Sequence, residues 1–234
     1  MKVSIVVPVY QEEAGIEEFL RRFDRQTLPR SEFEIIAVDG GSEDRTRDIA
    51  SRYADRVIVQ RAKGIGGARN DGVAEARADI IATTDADCRV PEDWLERIVR
   101  HFEDPRVVAV CGPDGPLEGS WKARTIFFFV RSIIRIAALA GLYGTGGTNS
   151  AFRKEAFWAL GGYRTLPHSD DIDLGFRLRG RGRIIYDPNL YVRLSVRRLE
   201  RQGYMRTLLL WLRGDLKALA GLPIEAGGYA RQKY

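Results

Sequence analysis

The sequence predicts an α/β fold built on one mostly parallel sheet that is covered by helices. Through the first half of the 234-residue chain, short runs of β-branched and aliphatic residues alternate with amphipathic stretches, which is the pattern of repeated β-α units. The hydrophobic share of 44% is enough for one sizeable core. Acid-containing turns follow three of the predicted strands, and parallel sheets bind ligands beyond the carboxyl ends of their strands. We therefore expect a single domain with a ligand site at one edge of its sheet.

Five strands are predicted where apolar residues run together between turn residues. They cover residues 3–9, 33–38, 57–59, 80–84 and 107–110. Helices are predicted between the strands from apolar residues that recur at three- and four-residue spacing. The positions that define them are Ile16, Phe19, Leu20 and Phe23 in the first helix, Ile49, Ala50 and Tyr53 in the second, residues 68–78 in the third, and Trp94, Leu95, Ile98, Val99 and Phe102 in the fourth. Ser42, Asp44 and Thr46 stand where the second helix starts, and their side-chain oxygens are suited to bind free backbone N–H groups.

The charge, the cysteines and the first residues of the sequence indicate which partners the protein binds and where in the cell it acts. The chain has 31 Arg, 6 Lys and a net charge of +5, which favours anionic partners such as phosphates, acidic lipids or nucleic acid. No aromatic-basic interleaving or zinc-ligand spacing supports nucleic-acid binding. Cys88 and Cys111 offer neither a disulfide framework nor a metal-ligand spacing, so we expect buried thiols. A strand pattern begins at the first residues without a secretory signal, which predicts a cytoplasmic protein, in the cytosol or at the inner face of the cell membrane.

Asp85-Ala86-Asp87 is the motif with the most direct chemical meaning. Two carboxylates one residue apart at a strand end are suited to hold Mg²⁺ or Mn²⁺ against a diphosphate, because hard cations bind oxygen ligands and bridge phosphate oxygens. Acidic strand ends also serve as turns and helix caps, which is the structural alternative. Residues 8–13 and 39–42 follow two other predicted strands, and we expect all three turns at the same edge of the sheet.

Further ordered motifs accompany this acidic pair. They occupy residues 6–13 (VVPVYQEE), 36–46 (IAVDGGSEDRT), 66–70 (GGARN), 146–153 (GGTNSAFR) and 169–178 (SDDIDLGFRL). In this order they resemble the family-2 glycosyltransferases of the GT-A fold, over residues 1–195. The resemblance implies an inverting transfer of a sugar from a nucleoside-diphosphate sugar to an acceptor, with Mg²⁺ or Mn²⁺ as cofactor. Gly40 replaces the second acid of the family's Asp-Asp-Gly-Ser run, and the Gln-x-x-Arg-Trp motif of processive polysaccharide synthases is absent.

The resemblance assigns roles to individual residues. The implied catalytic residues are Asp171, as the base, and Asp170. The implied metal ligands are Asp87 and Asp85. The residues implied in nucleotide binding are Pro8, Val9, Tyr10, Glu12, Asp39, Lys63, Arg69, Asp85 and Ala86. Those implied in contacts with the acceptor or a phosphate are Arg198, Arg201, His168 and Asn149. Structural alternatives stay open: an acid-rich helix start at residues 170–173, a glycine turn with an exposed arginine at residues 66–70, a solvated Lys63 and an ordinary loop histidine at His168.

Two later stretches carry basic residues at helical spacing. The two sets are Arg124, Arg131 and Arg135, and Arg206, Arg213 and Lys217. Arginines inside the first apolar run, and the short apolar runs of the second, argue against membrane spans. Either both helices pack their apolar sides on the sheet with solvated arginines outside, or they bind a membrane surface. Residues 1–195 are thus predicted as the GT-A domain, and residues 196–234 as a helical extension that packs on the domain or on a membrane.

The acceptor stays open among a sugar, a lipid and a polyprenyl phosphate. A hydroxyl acceptor needs Asp171 to accept its proton, whereas a phosphate acceptor is already largely ionised at neutral pH. A nucleotidyltransferase that makes a nucleotide sugar is one alternative function, and a non-catalytic nucleotide-sugar-binding module is another. The lack of a Gly-rich, Lys-terminated triphosphate loop near the start of the sequence counts against the nucleotidyltransferase.

Overall fold

Strands and helices alternate along the chain. The computed structural model describes residues 1–119, 121–139, 145–197 and 203–219, together with Glu200 and Leu222. Within these residues the strands are β1 (Val3–Val9), β2 (Phe33–Asp39), β3 (Arg56–Val59), β4 (Ile80–Thr83), β5 (Cys88–Arg89), β6 (Val107–Cys111), β7 (Asp114–Pro116), β8 (Ser150–Arg153), β9 (Arg183–Tyr186) and β10 (Val192–Leu194). The helices in the same residues are α1 (Ile16–Arg21), α2 (Thr46–Ala50), α3 (Gly64–Glu75), α4 (Trp94–His101), α5 (Trp121–Leu139), α6 (Lys154–Trp158), α7 (Asp170–Leu178) and α8 (Tyr204–Leu219).

The main sheet of the described residues contains seven strands, in the order β3-β2-β1-β4-β8-β6-β9. Strand β1 pairs in parallel with β2 and β4, and β2 pairs in parallel with β3. Strand β8 runs antiparallel to its neighbours β4 and β6, and β6 pairs in parallel with β9. A smaller sheet joins β5, β10 and β7. The mostly parallel sheet predicted from the sequence is confirmed, with β8 as its antiparallel member.

Both faces of the main sheet are covered by apolar side chains. Ile5 and Val7 of β1 pack in the cluster that contains Trp94, whereas Val6 packs in the cluster that contains Phe157. Successive side chains of a strand point to opposite faces, so a strand that is buried on both faces needs an almost unbroken apolar sequence. This is why the central strands could be recognised as continuous apolar runs.

Helix α3 begins earlier than the sequence predicted. The sequence predicts it over residues 68–78, but it spans Gly64–Glu75, because Gly66 and Gly67 belong to the helix instead of forming a turn. A Cβ atom at Gly67 would lie 2.7 Å from the carbonyl carbon of Ala62. The glycine therefore permits a close approach of the helix to the preceding chain, a tertiary reason that periodicity does not reveal.

Helix α5 keeps much of its apolar surface exposed. Phe128 and Ile133 are exposed, whereas Ala123, near the start of the helix, is buried. The alternative that α5 packs its apolar side on the sheet is therefore wrong for these side chains. Helix α8 packs against α7, and the side chain of Arg206 lies outside the described residues. None of the helices in the described part of the chain combines the length and apolar character needed to span a bilayer.

Candidate active site

The turns after β1 and β2 are joined at the carboxyl edge of the sheet. The Gln11 N–H donates to Ser42 Oγ at 3.0 Å, and the Glu12 N–H donates to Thr46 Oγ1 at 2.8 Å. These bonds hold the turn that contains Glu12 against the start of α2, where polar side chains commonly satisfy backbone N–H groups. Two of the three predicted polar turns therefore meet at one place.

Asp39 ends β2 and organises the turn that follows it. Its carboxylate is 1% exposed and accepts the N–H groups of Gly41 and Ser42, each at 3.2 Å. An adjoining cavity has a volume of about 250 Å³ and is lined by Gly40, Gln60, Ala62, Lys63 and Gly64. Of the residues predicted to bind a nucleotide, Lys63 thus lines the cavity and Asp39 shapes the loop that contributes Gly40 to it.

Two residues that were predicted to contact the nucleotide have their side chains in the core. The side chains of Val9 and Ala86 are buried in the larger apolar cluster, and the Val9 carbonyl oxygen accepts the Gly40 N–H at 2.9 Å. These two side chains pack inside the domain, and contacts of the two residues with a nucleotide stay predictions. Pro8 and Tyr10 are partly exposed at the edge of the sheet, and their contacts with a nucleotide stay predictions.

Arg69 projects from α3 between the two acidic motifs. Its Nη2 lies 2.9 Å from Asp85 Oδ1, its Nη1 lies 3.9 Å from Asp170 Oδ2, and its guanidinium lies 5.7 Å from the centre of the Tyr163 ring. Burial lowers the pKa of Arg69, but Asp85, Tyr163 and Asp170 outweigh burial and raise the pKa overall. Arg69, with a side chain only 3% exposed, is a buried counter-ion that connects the two motifs, and its contact with a phosphate stays a prediction.

Asp85 and Asp87 provide the oxygen donors of a candidate metal site in the turn between β4 and β5. The Asp87 carbonyl oxygen accepts the Ser195 N–H at 3.2 Å, which fixes this turn to the chain after β10. Burial raises the pKa of Cys88 well above its usual value, and the charges of Asp87 and Asp85 add to the rise, as expected where negative potential is concentrated. No group of three or more His, Cys, Asp or Glu side chains forms a metal cage in the described residues. The acidic pair fits a cation of the Mg²⁺ type, which commonly takes one or two carboxylates and completes its coordination with substrate phosphates and water.

Asp171 lies at the start of α7 and faces the loop that precedes β8. Its Oδ2 accepts the Gly147 N–H at 2.6 Å, and its Oδ1 accepts the Ile172 N–H at 2.9 Å. The Thr145 hydroxyl donates to the Asp171 carbonyl oxygen at 2.8 Å. Hydrogen bonds from main-chain N–H groups to a carboxylate are charge-assisted and restrict its rotation. The main chain of two segments thus sets the position of the predicted base.

Asp170 is more deeply buried than Asp171 and faces Arg69. Burial raises the pKa of Asp170 to about 6, with Arg69 opposing the rise and Asp171 adding to it. A Cβ atom at Gly66 would lie 3.3 Å from Asp170 Cγ, so the glycine of α3 leaves the space that this carboxyl occupies. The structure therefore places Asp170 beside the buried cation, behind the predicted base.

Asn149, a predicted acceptor contact, is buried and holds neighbouring segments of the chain together. It is 1% exposed, and its Nδ2 donates to the carbonyl oxygens of Pro113 at 3.1 Å and Leu190 at 2.6 Å. Its Oδ1 accepts the Trp94 indole N–H at 2.9 Å. The amide thus fixes three separate segments of the chain, and its contact with the acceptor stays a prediction.

His168 is also buried. Its Nδ1 lies 3.1 Å from Ser169 Oγ, and its ring fills the space beside Gly214 of α8. A Cβ atom at Gly214 would collide with this ring, so the glycine allows α8 to lie against the loop before α7. The His168 ring therefore packs between α8 and the loop before α7, and its contact with a phosphate stays a prediction. Arg198 and Arg201, the other two predicted contacts, lie outside the described residues.

Two carboxylates near Asp171 were missed by the sequence analysis. Burial raises the pKa of Asp114 to about 6, although Thr148 donates a hydrogen bond to it at 3.3 Å, and Asp171 adds to the rise. Burial also raises the pKa of Asp215 to about 6, with a hydrogen bond to Ser169 opposing the rise and Asp171 adding to it. Asp114 lies on β7 and Asp215 on α8, so only the packing of these elements brings them near the predicted base.

Known structures share this architecture. The mannosyltransferase PcManGT from Pyrobaculum calidifontis, solved with GDP-Man and Mn²⁺, has a TM-score of 0.75 and 24% identity, and the match covers 97% of this chain and 66% of that one. The glucosyl-3-phosphoglycerate synthase from Mycobacterium tuberculosis, solved with Mn²⁺, UDP and phosphoglyceric acid, has a TM-score of 0.67 and 19% identity, with 99% and 80% covered. At these identities the likeness concerns the fold, and it confirms the GT-A type predicted from the sequence.

Sequence comparisons agree with the fold. The glycosyltransferase AglE of Haloferax volcanii is 36% identical over 116 residues, which cover 47% of this chain and 38% of AglE. An undecaprenyl-phosphate 4-deoxy-4-formamido-L-arabinose transferase of Pseudomonas paraeruginosa is 34% identical over 129 residues, which cover 51% of this chain and 38% of that protein. The match therefore spans less than half the length of either relative. Residues 4–161 match the sequence profile of glycosyl transferase family 2, and the chain belongs to this family.

Proposed function

We propose that the protein transfers a sugar from a nucleoside-diphosphate sugar to an acceptor, with inversion at the anomeric carbon. The observation that carries this proposal is the connection of the two acidic motifs through Arg69, which lies 2.9 Å from Asp85 and 3.9 Å from Asp170. The shared Arg69 guanidinium supports the assignment of the Asp85 motif, on the donor side, and the Asp170 motif, on the acceptor side, to one active site. Such a centre is what a single displacement at a sugar carbon requires.

The donor side of this centre consists of the turns after β1, β2 and β4. Asp39 holds the loop beside the cavity of about 250 Å³, and Lys63 contributes a positive charge at the lining of this cavity. Asp87 and Asp85 would hold Mg²⁺ or Mn²⁺. When bound, the cation would offset the charge that grows on the departing nucleoside diphosphate.

Asp171 is the proposed base on the acceptor side. A carboxylate that accepts N–H groups from Gly147 and Ile172 is held in one orientation and needs little rearrangement to accept a proton. If the acceptor is a hydroxyl, this proton leaves as the new glycosidic bond forms. If the acceptor is a polyprenyl phosphate, the nucleophile is already ionised, and Asp171 positions it without removing a proton.

A donor assay tests the proposal. The full chain is incubated with GDP-mannose, UDP-glucose or UDP-N-acetylglucosamine, with Mn²⁺ and with a sugar or a detergent-dissolved polyprenyl phosphate as acceptor, and release of the nucleoside diphosphate is measured with and without a chelator. We expect chelator-sensitive release from at least one donor, and NMR of the transfer product should show the anomer opposite to that of the donor. Pyrophosphate production from a nucleoside triphosphate and a sugar phosphate would favour a nucleotidyltransferase. Absence of turnover with every donor, despite binding, would favour a non-catalytic binding module.

A further inference from the structure

A second cavity lies between β7, β10 and α5, on the acceptor side of the domain. It has a volume of about 360 Å³ and is lined by Pro116, Leu117, Arg124, Phe127, Phe128, Arg131, Tyr191 and Arg193. We call it the arginine groove. Three cationic side chains and three aromatic rings thus surround one space that is large enough for a phosphate group with part of an apolar chain.

The arginines of the groove are available to an anion. In the described part of the chain, none of Arg124, Arg131 and Arg193 forms an ion pair with a carboxylate, in contrast to Arg69. Arg131 is oriented by Tyr191, since its guanidinium lies 5.4 Å from the centre of that ring. Arginine forks bind phosphate oxygens in pairs, so this cluster matches a phosphate better than a neutral sugar.

Strand β7 links the arginine groove to the neighbourhood of Asp171. Residues 114–116 form β7, and its last residue, Pro116, lines the groove. The carboxylate of its first residue, Asp114, accepts a hydrogen bond from Thr148. The neighbouring residue, Gly147, donates its N–H to Asp171, the predicted base. Burial raises the pKa of Asp114, the charge of Asp171 adds to the rise, and the charge of Arg131 in the groove opposes it. One short strand thus joins a residue that lines the groove to a carboxylate near the proposed base.

Beside the groove, α5 presents an exposed apolar strip. Its members are Trp121, Phe128, Phe129, Ile133 and Ile136, which are 72%, 57%, 61%, 67% and 67% exposed. Their helical spacing places them along one side of α5, and Arg124, Arg131 and Arg135 form the adjacent row. Large aromatic and aliphatic residues next to a row of arginines are typical of helices that lie in the interface of a membrane.

We propose that the apolar strip of α5 enters the membrane interface and that the arginine groove binds the phosphate of a lipid acceptor embedded there. This inference rests on the proposed function and names the class of its acceptor. The strip and the groove share Phe128, so a lipid phosphate could reach the arginines while its chain stays in the bilayer. Attraction between arginines and anionic head groups adds to the burial of the apolar side chains.

Vesicle binding by the full chain tests this proposal. Phosphatidylcholine vesicles with and without a small fraction of polyprenyl phosphate are sedimented with the protein. We expect the wild type to bind the phosphate-bearing vesicles more tightly. Arg131→Gln should weaken this binding about fivefold or more, whereas Arg135→Gln, which removes the same charge from the same row outside the groove, should weaken it less. Phe128→Ser combined with Phe129→Ser should weaken it about 10-fold or more, and Val59→Ser, at an exposed strand position, should not.

Several outcomes would overturn the inference. Equal binding to both kinds of vesicle would exclude a lipid phosphate site, and equal losses from Arg131→Gln and Arg135→Gln would reduce the effect to general charge attraction. Circular dichroism and thermal melting establish that each variant is folded. The donor assay is independent of vesicles, so a wild-type protein that releases the nucleoside diphosphate but ignores vesicles refutes the inference alone. One that binds vesicles and releases nothing from any donor refutes the proposed function.

Discussion

Arg69 Nη2 lies 2.9 Å from Asp85 Oδ1, and this ion pair between a buried arginine and a partly exposed carboxylate joins the turn after β4 to α3. The same guanidinium approaches Asp170 at 3.9 Å, so one cation compensates carboxylates from two motifs that are far apart in the sequence. Buried charges are tolerated where they are paired, and the removal of one partner leaves the others uncompensated. Arg69 is thus required for the acidic motifs to coexist at the edge of the sheet.

Replacement of Arg69 by Met should destabilise the fold. We expect Arg69→Met to lower the free energy of unfolding by about 3–5 kcal/mol, because Asp85 and Asp170 would lose their buried counter-ion. Urea unfolding followed by circular dichroism measures this change. The matched control is Arg100→Met, which breaks an exposed ion pair with Glu96 and should have little effect. Equal effects of the two substitutions would show that the buried pair has no special role.

Gly147 and Gly146 offer a pair of substitutions that differ only in their surroundings. A Cβ atom at Gly147 would lie 2.5 Å from Arg69 Nη2, whereas a Cβ atom at Gly146 meets nothing within 4 Å. We expect Gly147→Ala to cost about 1–3 kcal/mol of stability and to lower turnover, since the Gly147 N–H also holds Asp171. Gly146→Ala should leave both nearly unchanged. Thermal melting measures the stability of the two variants, and the donor assay measures their turnover. Equal stability and equal turnover of the two variants would contradict the prediction.

Asp87→Ala should remove the metal dependence of the reaction. We expect chelator-sensitive release of the nucleoside diphosphate to fall roughly 100-fold or more. The reason is that the protein would no longer hold the cation that offsets the negative charge on the departing diphosphate. Stabilisation of the protein by a nucleoside diphosphate with Mn²⁺, measured by thermal melting, should fall in parallel. The exposed Asp48 of α2 supplies the control, Asp48→Ala. Undiminished, Mn²⁺-dependent turnover in Asp87→Ala would place the cation elsewhere.

Asp171→Asn distinguishes the two kinds of acceptor. With a hydroxyl acceptor, loss of the base should lower turnover by roughly 100-fold or more. With a polyprenyl phosphate, Asp171→Asn should cost clearly less than Asp87→Ala, because the nucleophile is already ionised. Turnover numbers of both variants with each acceptor provide the comparison. A similar collapse of both variants with the phosphate acceptor would contradict a merely positioning role for Asp171.

Asp215 should make stability depend on pH in a defined direction. Burial raises its pKa from 3.8 to about 6, so the folded state binds this proton more tightly than the unfolded state. The contribution to stability is therefore present below pH 3.8 and is lost as the pH rises to about 6. Asp215→Asn removes this titration, and we expect it to raise the free energy of unfolding at neutral pH by on the order of 1 kcal/mol.

Urea unfolding across this pH range checks the prediction for Asp215. The difference in stability between Asp215→Asn and the wild type should grow as the pH rises. The exposed control Asp48→Asn should show no such growth. A constant difference at every pH would mean that the Asp215 carboxyl titrates alike in the folded and unfolded states.

Local patterns in the sequence determined the alternation of strands and helices and the edge of the sheet where the acidic turns gather. The strands over residues 3–9 and 107–110 were recognisable because a strand buried on both faces leaves an unbroken apolar run. The turns around Asp39 and Asp85 could be assigned to one edge, because the carboxyl ends of parallel strands coincide there.

The tertiary structure alone decided which polar residues face the site and which hold the fold together. Arg69 and Asn149 belong to motifs that resemble ligand-binding segments, yet packing commits them to Asp85 and to Trp94. Asp114 and Asp215 carry no recognisable pattern, yet β7 and α8 bring them near Asp171. Periodicity reports how each segment meets the core, whereas burial and ion pairing depend on segments distant in sequence that meet only in the folded chain.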